Sequence, residues 1–190
     1  MKIKLLDIKG DWRSIADSAR TTIGKEPGVK MPSSDWVRRM LLSEHSPIRK
    51  LSVSWKWYDL KSWISVHFVR HKVGIEHFVR SQRTDRIKNA DNRDDAKQST
   101  LIEHEAEANA QAIINISRKR LCSQAIKETR EAWKEFLESI ENDEPELYAV
   151  CVPDCIYRGW CYEYESCNYH LSDDFKEKLN EYRGGINNWK

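Results

Sequence analysis

The sequence predicts a mixed domain of strands and helices, and three stretches carry that expectation. Residues 50–57 alternate, with Leu51, Val53, Trp55 and Trp57 set against Ser52, Ser54 and Lys56. Strict period two marks a half-buried strand. The stretch from Thr100 to about Glu141 reads as helix, either two helices or one with a bend, because it exceeds the usual length of one. Residues 1–9, with Ile3, Leu5 and Ile8 as apolar positions, read as a short strand.

The remaining elements follow from local signals. Asp11 is placed to cap a helix reaching about Ala19, with Trp12, Ile15 and Ala16 on one face. The loop 24–32 carries glycine and proline and separates elements. Ser33 or Ser34 caps a second helix with Trp36, Val37, Met40 and Leu41 at helical spacing. It ends near Glu44-His45-Ser46-Pro47, where Pro47 blocks continuation. Leu60 to Phe68 is expected as a short helix and the basic stretch after it as loop and turn. Residues 87–99 are polar and unpatterned, a surface loop of the kind that often carries function. Glu128, Trp133 and Phe136 open the more amphipathic half of the long helical region. A last helix over 173–182 is expected to stop at Gly184-Gly185.

Composition bounds the class. The chain has 190 residues, 39% hydrophobic and 33% charged, which fits one domain, 1–190, with a real core. Within it, 147–190 forms a terminal segment rich in cysteine and aromatic residues. The net charge of +2 argues against a general nucleic-acid or membrane binder. No apolar run approaches the ~18 residues a membrane span needs. The N-terminus has no apolar signal region, so a cytoplasmic protein is expected. Five cysteines are then expected as thiols or metal ligands and not as disulfides. Cys122 reads as a small buried thiol. Cys151, Cys155, Cys161 and Cys167, near His170, leave a structural metal open, but their spacing is wider than a usual zinc knuckle, and packed thiols are preferred.

Charge is concentrated from His67 to Arg86, HFVRHKVGIEHFVRSQRTDR. It holds Arg70, Arg80, Arg83, Arg86 and Lys72 with three histidines, opposed only by Glu76 and Asp85. Forked guanidinium donors bind oxyanions bidentately, so a phosphate ester is the expected ligand class. A solvated basic loop or a weak RNA-contacting patch is the bland alternative.

Arg70-His71-Lys72 followed by Ser81-Gln82-Arg83 resembles the flavin-dependent thymidylate synthase signature RHR-x-x-S-x-N-E-x-S-x-R. Lys72 stands for the third arginine, one extra residue precedes Ser81, and the Asn-Glu pair is missing. Further segments match in order. Ala19-Arg20-Thr21-Thr22 resembles A-R-V-S, and Glu44-His45 resembles the family's E-H, 25 residues before Arg70. Asn109-Ala110-Gln111 resembles N-A-R, with Asn115 six residues later, and the run from Arg120 to Arg130 resembles L-R-x-C-x-x-A-Q-x-E-I-R. The likeness spans roughly residues 15–135.

That resemblance implies an α+β fold, an antiparallel sheet with long helices, assembled as a homotetramer with sites shared between subunits. It implies reductive methylation of dUMP to dTMP with methylenetetrahydrofolate and NADPH, through FAD. It assigns Thr22, His45, Arg70, His71, Lys72, Asn109 and Asn115 to the flavin. Arg70, Ser81, Arg83, Arg93 and Arg120 would bind substrate, with Ser81, Arg83 and Arg120 acting catalytically. His67 stands where the family often has glutamine. Asn109 and Arg120, eleven residues apart at about 100° each, would share a face of a continuous helix. The sequence has no G-x-G-x-x-G, which disfavours a Rossmann mode. Its departures from the signature keep two alternatives open: a same-fold enzyme acting on another pyrimidine, or a nucleotide- or RNA-binding relative without turnover.

Overall fold

The structure is a computed structural model; it describes residues 1–86 and 92–187, with side chains described through Gly184. Four antiparallel strands form one sheet in the order β1-β2-β4-β3. They are β1 (Lys2–Lys9), β2 (Ser52–Lys61), β3 (Ile75–Val79) and β4 (Leu101–Asn109). The helices are α1 (Trp12–Thr21), α2 (Ser34–Leu42), α3 (Ser62–Phe68), α4 (Ala110–Arg120), α5 (Lys127–Ile140), α6 (Pro145–Val150), α7 (Asp154–Arg158) and α8 (Asp173–Asn187). Asp11 caps α1 and Ser33 caps α2, each accepting a backbone N–H from inside its helix. Among the described residues no helix is long and apolar enough to cross a membrane.

Strands β2 and β4 are the middle of the sheet and meet through complementary sizes. Trp55 lies opposite Ala106, Trp57 opposite His104, and Val53 opposite Ala108. The small residues of β4 leave room for the indoles of β2. Trp55, Trp57, Phe68, Trp133 and Phe136 are fully buried together. Trp55 stacks on Phe136 and Trp57 on Phe68, with centroids 3.9 and 4.7 Å apart. Each such ring contributes roughly 1.5–3 kcal/mol by leaving water. Trp57 Nε1 donates to the Ala132 carbonyl and Trp133 Nε1 to Ser117 Oγ, which fixes α4 and α5 against this layer. The opposite face of the sheet is charged and open: Lys9 pairs with Glu107, and Lys56 with Glu103.

Three expectations are corrected here. The stretch expected as helix from Thr100 begins as strand β4, and helix starts only at Ala110. Alanine and glutamate favour helix, but period two places Ile102, His104, Ala106 and Ala108 inward, and pairing with strands on both sides overrides propensity. The basic stretch expected as loop contains strand β3. The terminal helix α8 continues through Gly184-Gly185 to Asn187. The polar loop expected over 87–99 falls partly outside the described residues; Arg93–Asp95 form a short 3-10 turn.

Gly10 joins β1 to α1 at φ +91°, where a Cβ would stand 2.4 Å from the Lys50 carbonyl oxygen. Gly24 also has positive φ but faces open space. Gly10→Ala is expected to cost about 3 kcal/mol, from backbone strain plus a clash that cannot rotate away. Gly24→Ala is expected to cost about 1 kcal/mol, from strain alone. Urea denaturation of the two variants checks the difference.

Candidate functional site

The loop Arg70–Gly74, between α3 and β3, touches α4 at both of its ends. At the C-terminal end, Arg120 Nε donates to His71 Nε2 at 3.0 Å, and Arg120 Nη2 donates to the His67 carbonyl at 2.6 Å. At the N-terminal end, the Asn109 amide donates to the Gly74 carbonyl. Gly74 sits at φ +73°, and a Cβ there would lie 2.7 Å from Asn109 Nδ2. Only glycine allows this approach without displacing Asn109. Asn109 is therefore the cap of α4, accepting from Ala112, and not a residue within the helix.

Electrostatics follow from this packing. Arg120 is half-buried, and burial with nearby Arg70 depresses its pKa. His71 is pushed down to about 4 by burial, then by Arg120 and His77. His67 is lowered by burial, Arg120 and Arg70. His71 is thus neutral at neutral pH, with its Nε2 lone pair accepting from the guanidinium.

Sequence reasoning did not single out His77 and His104. His104 is fully buried on β4, against Trp57 and Phe68. Burial, then His77, push its pKa down to about 3. His77 Nδ1 lies 2.9 Å from His104 Nε2, and His77 Nε2 lies 3.0 Å from the His71 carbonyl. The usable signal was the alternation of β4, hidden by its helix-forming composition.

A second cluster surrounds Glu44, which adopts φ +50°. Gln111 and Arg118 both bind its carboxylate, and Arg118 also donates to Asn115 and lies over the Tyr157 ring. His45 follows it, exposed, at the start of the 3-10 helix Ser46–Lys50. A cleft of about 330 Å³ at the Gly74–Asn109 contact is lined also by Arg49, Ser52 and Glu76, among others.

The remaining expected residues are more dispersed. Ser81 is half-buried after β3, and Arg83 is exposed and paired with Asp85 at 3.3 Å. Arg80 donates to the Arg86 carbonyl. Thr22 caps the end of α1 by donating to the Ala19 carbonyl at 2.7 Å. Arg93 is exposed on its 3-10 turn. Among the described residues, Arg49, Arg70 and Lys72 are in no ion pair.

A larger cavity, about 1000 Å³, lies between α5 and the C-terminal segment and is bordered by all five cysteines. The thiols are free, and among the described residues no three His, Cys, Asp or Glu side chains are arranged to hold a metal. It contains none of the residues assigned through the resemblance.

Comparison with solved structures gives the architecture its relatives. A flavin-dependent thymidylate synthase, ThyX from Helicobacter pylori complexed with FAD and dUMP, superposes with TM-score 0.63 at 12% identity, over 80% of this chain and 100% of that one. The chain has the flavin-dependent thymidylate synthase fold. A second structure of the Helicobacter pylori enzyme with FAD and dUMP gives TM-score 0.61 at 14% identity, over 80% and 99% of the two chains. A UMP/dUMP methylase, PolB from Streptomyces cacaoi bound with 5-Br dUMP, gives 0.65 at 13% identity, over 78% and 93%. No protein-family model matches the sequence, and no curated protein matches it.

His71 and His104 dominate the acid response expected of this site. Both are neutral when folded and regain an ordinary histidine pKa near 6.5 on unfolding. Below that value the unfolded chain binds more protons, so stability falls as pH falls. The loss runs down to about 4 for His71 and about 3 for His104. His104→Gln removes one of these groups and is expected to flatten the slope of stability against pH by about 1.4 kcal/mol per pH unit in this window. Urea denaturation at a series of pH values measures it.

Proposed function

We propose that this protein is a flavin-dependent thymidylate synthase, methylating dUMP to dTMP with methylenetetrahydrofolate and NADPH through FAD. The observation that carries the reading is the approach of Arg120, 49 residues on, to the Arg70-His71 pair at the far end of the loop from the Gly74–Asn109 contact. The fold relatives with FAD and dUMP support it.

The residues fit a flavin dinucleotide. Arg49, Arg70 and Lys72 are exposed cations with no carboxylate partner among the described residues, and a diphosphate supplies the missing counter-charge. His71, Lys72, Asn109, Asn115, His45 and Thr22 would hold the cofactor with Arg70. Bound flavin would carry the reducing equivalents, and the folate would carry the one-carbon unit.

The chain's own contribution is binding and polarisation. Arg70, Ser81, Arg83, Arg93 and Arg120 would hold the nucleotide. Arg83 is available, because its pair with exposed Asp85 is weak in water. Arg120 would stabilise negative charge developing on the uracil carbonyls as C5 becomes nucleophilic, from a partly buried position where such charge is less screened. The active assembly would be a homotetramer sharing sites between subunits.

A second reading is a same-fold enzyme for another pyrimidine nucleotide. Val79-Arg80 where the signature is acidic, and the likeness to a UMP/dUMP methylase, favour it. Purified protein given FAD is expected to show protein-bound flavin absorption, and no binding would remove both enzyme readings. Arg120→Ala or Arg83→Ala should weaken dUMP binding by roughly 1.5–3 kcal/mol while flavin stays bound; calorimetry with each ligand checks it. With all cofactors present, the protein should release tritium from C5-tritiated dUMP. Tight flavin and dUMP binding without release points to the second reading.

A further inference from the structure

The array behind His71 has a direction. A carbonyl only accepts, so His77 Nε2 must be the N–H that donates to the His71 carbonyl. In a neutral His77 ring Nδ1 is then a lone pair, and His104 Nε2 must be the N–H that donates to it. This leaves His104 Nδ1 as a lone pair, and that atom is buried without a hydrogen-bond partner. A buried acceptor without a partner is better tolerated than a buried donor without one, so the burial of His104 independently supports the same direction. At the far end, Arg120 Nε donates to His71 Nε2, which requires His71 to carry its proton on Nδ1.

We infer that His77 and His104 are positioning residues: a neutral, one-way imidazole pair that holds the His71 backbone and so the acceptor on which Arg120 rests. The role in binding rests on the function proposed above; the array itself does not. The pair is built on the sheet. His77 lies opposite Ala106, so His104 is its diagonal neighbour on the same face. Trp57 and Phe68 wall His104, while Arg120 acts on both His71 and His67 and Arg70 on His67. Neither member of the pair is hydrogen-bonded to a carboxylate among the described residues. Protonating His77 Nδ1 would set two N–H groups against each other across a 2.9 Å contact, and protonating His104 would put an N–H on Nδ1, where it is buried without an acceptor. Neutrality is therefore a condition of the geometry. Arg120, held by a lone pair and a carbonyl and not by a carboxylate, keeps its positive charge for an anionic ligand.

The test begins on the native protein without ligand. Long-range proton–nitrogen NMR spectra at neutral pH should show Nε2–H for His77 and His104 and Nδ1–H for His71. An Nδ1–H form of His77, or a charged His77, overturns the inference without any variant. In His77→Phe the His71 resonances should shift to a mixture of tautomers, and dUMP affinity should fall about tenfold. His77→Gln keeps a donor at the Nε2 position and should restore the single His71 tautomer and bring dUMP affinity to within about threefold of native. A folded His77→Phe with an unchanged His71 tautomer overturns the positioning role. Native protein with the stated tautomers that binds neither dUMP nor flavin upholds the array and sinks the function reading alone.

Discussion

The site depends on one imidazole being uncharged. Arg120 is half-buried with Arg70 acting on its charge, and a protonated His71 would add a third cation and give up the lone pair to which Arg120 donates. His71 avoids this by staying neutral and turning a lone pair to Arg120. Burial imposes neutrality, burial comes from the packing of α3 on the sheet, and that packing rests on the Trp57–Phe68 stack beneath. The aromatic core and the electrostatics of the site are one construction.

Much of the fold was legible where packing and local preference agree. Asp11 and Ser33 announced their helices, and the Leu51–Trp57 alternation announced the central strand. Strand β4 was not legible as read, because Glu103, Ala106 and Glu107 favour helix and only pairing on both edges settles the matter. Strand β3 was masked by its charge: Glu76 and His77 read as loop, while Ile75 alone marks the buried side. The site was legible to the extent that one-dimensional spacing survives folding. Arg120 meets His71 from 49 residues away, and both are residues the resemblance singled out. The His77–His104 pair was invisible because its partners are 27 residues apart, one in a stretch that reads as loop and the other in one that reads as helix.

The second cluster links the C-terminal segment to the same region. Glu44 occupies a left-handed conformation that costs a non-glycine residue of order 1 kcal/mol. Gln111 and Arg118 hold it there, and Tyr157 of α7 covers Arg118. The backbone that presents His45 is thereby tied to α4 and, through one ring, to the segment rich in cysteine.

The turn at Gly74 also governs how the chain tolerates changes in length. Along a strand, adding one residue exchanges the inward and outward faces of everything beyond it. Within β3 such an addition would swing His77 away from His104 and bring a neighbour into its place. The extra residue relative to the signature must therefore be absorbed outside the paired register, among exposed residues such as Lys72 and Val73 that precede the turn Asn109 holds at Gly74. Strand parity, more than the identity of any one loop residue, marks where this sequence can lengthen and still keep its histidines facing inward.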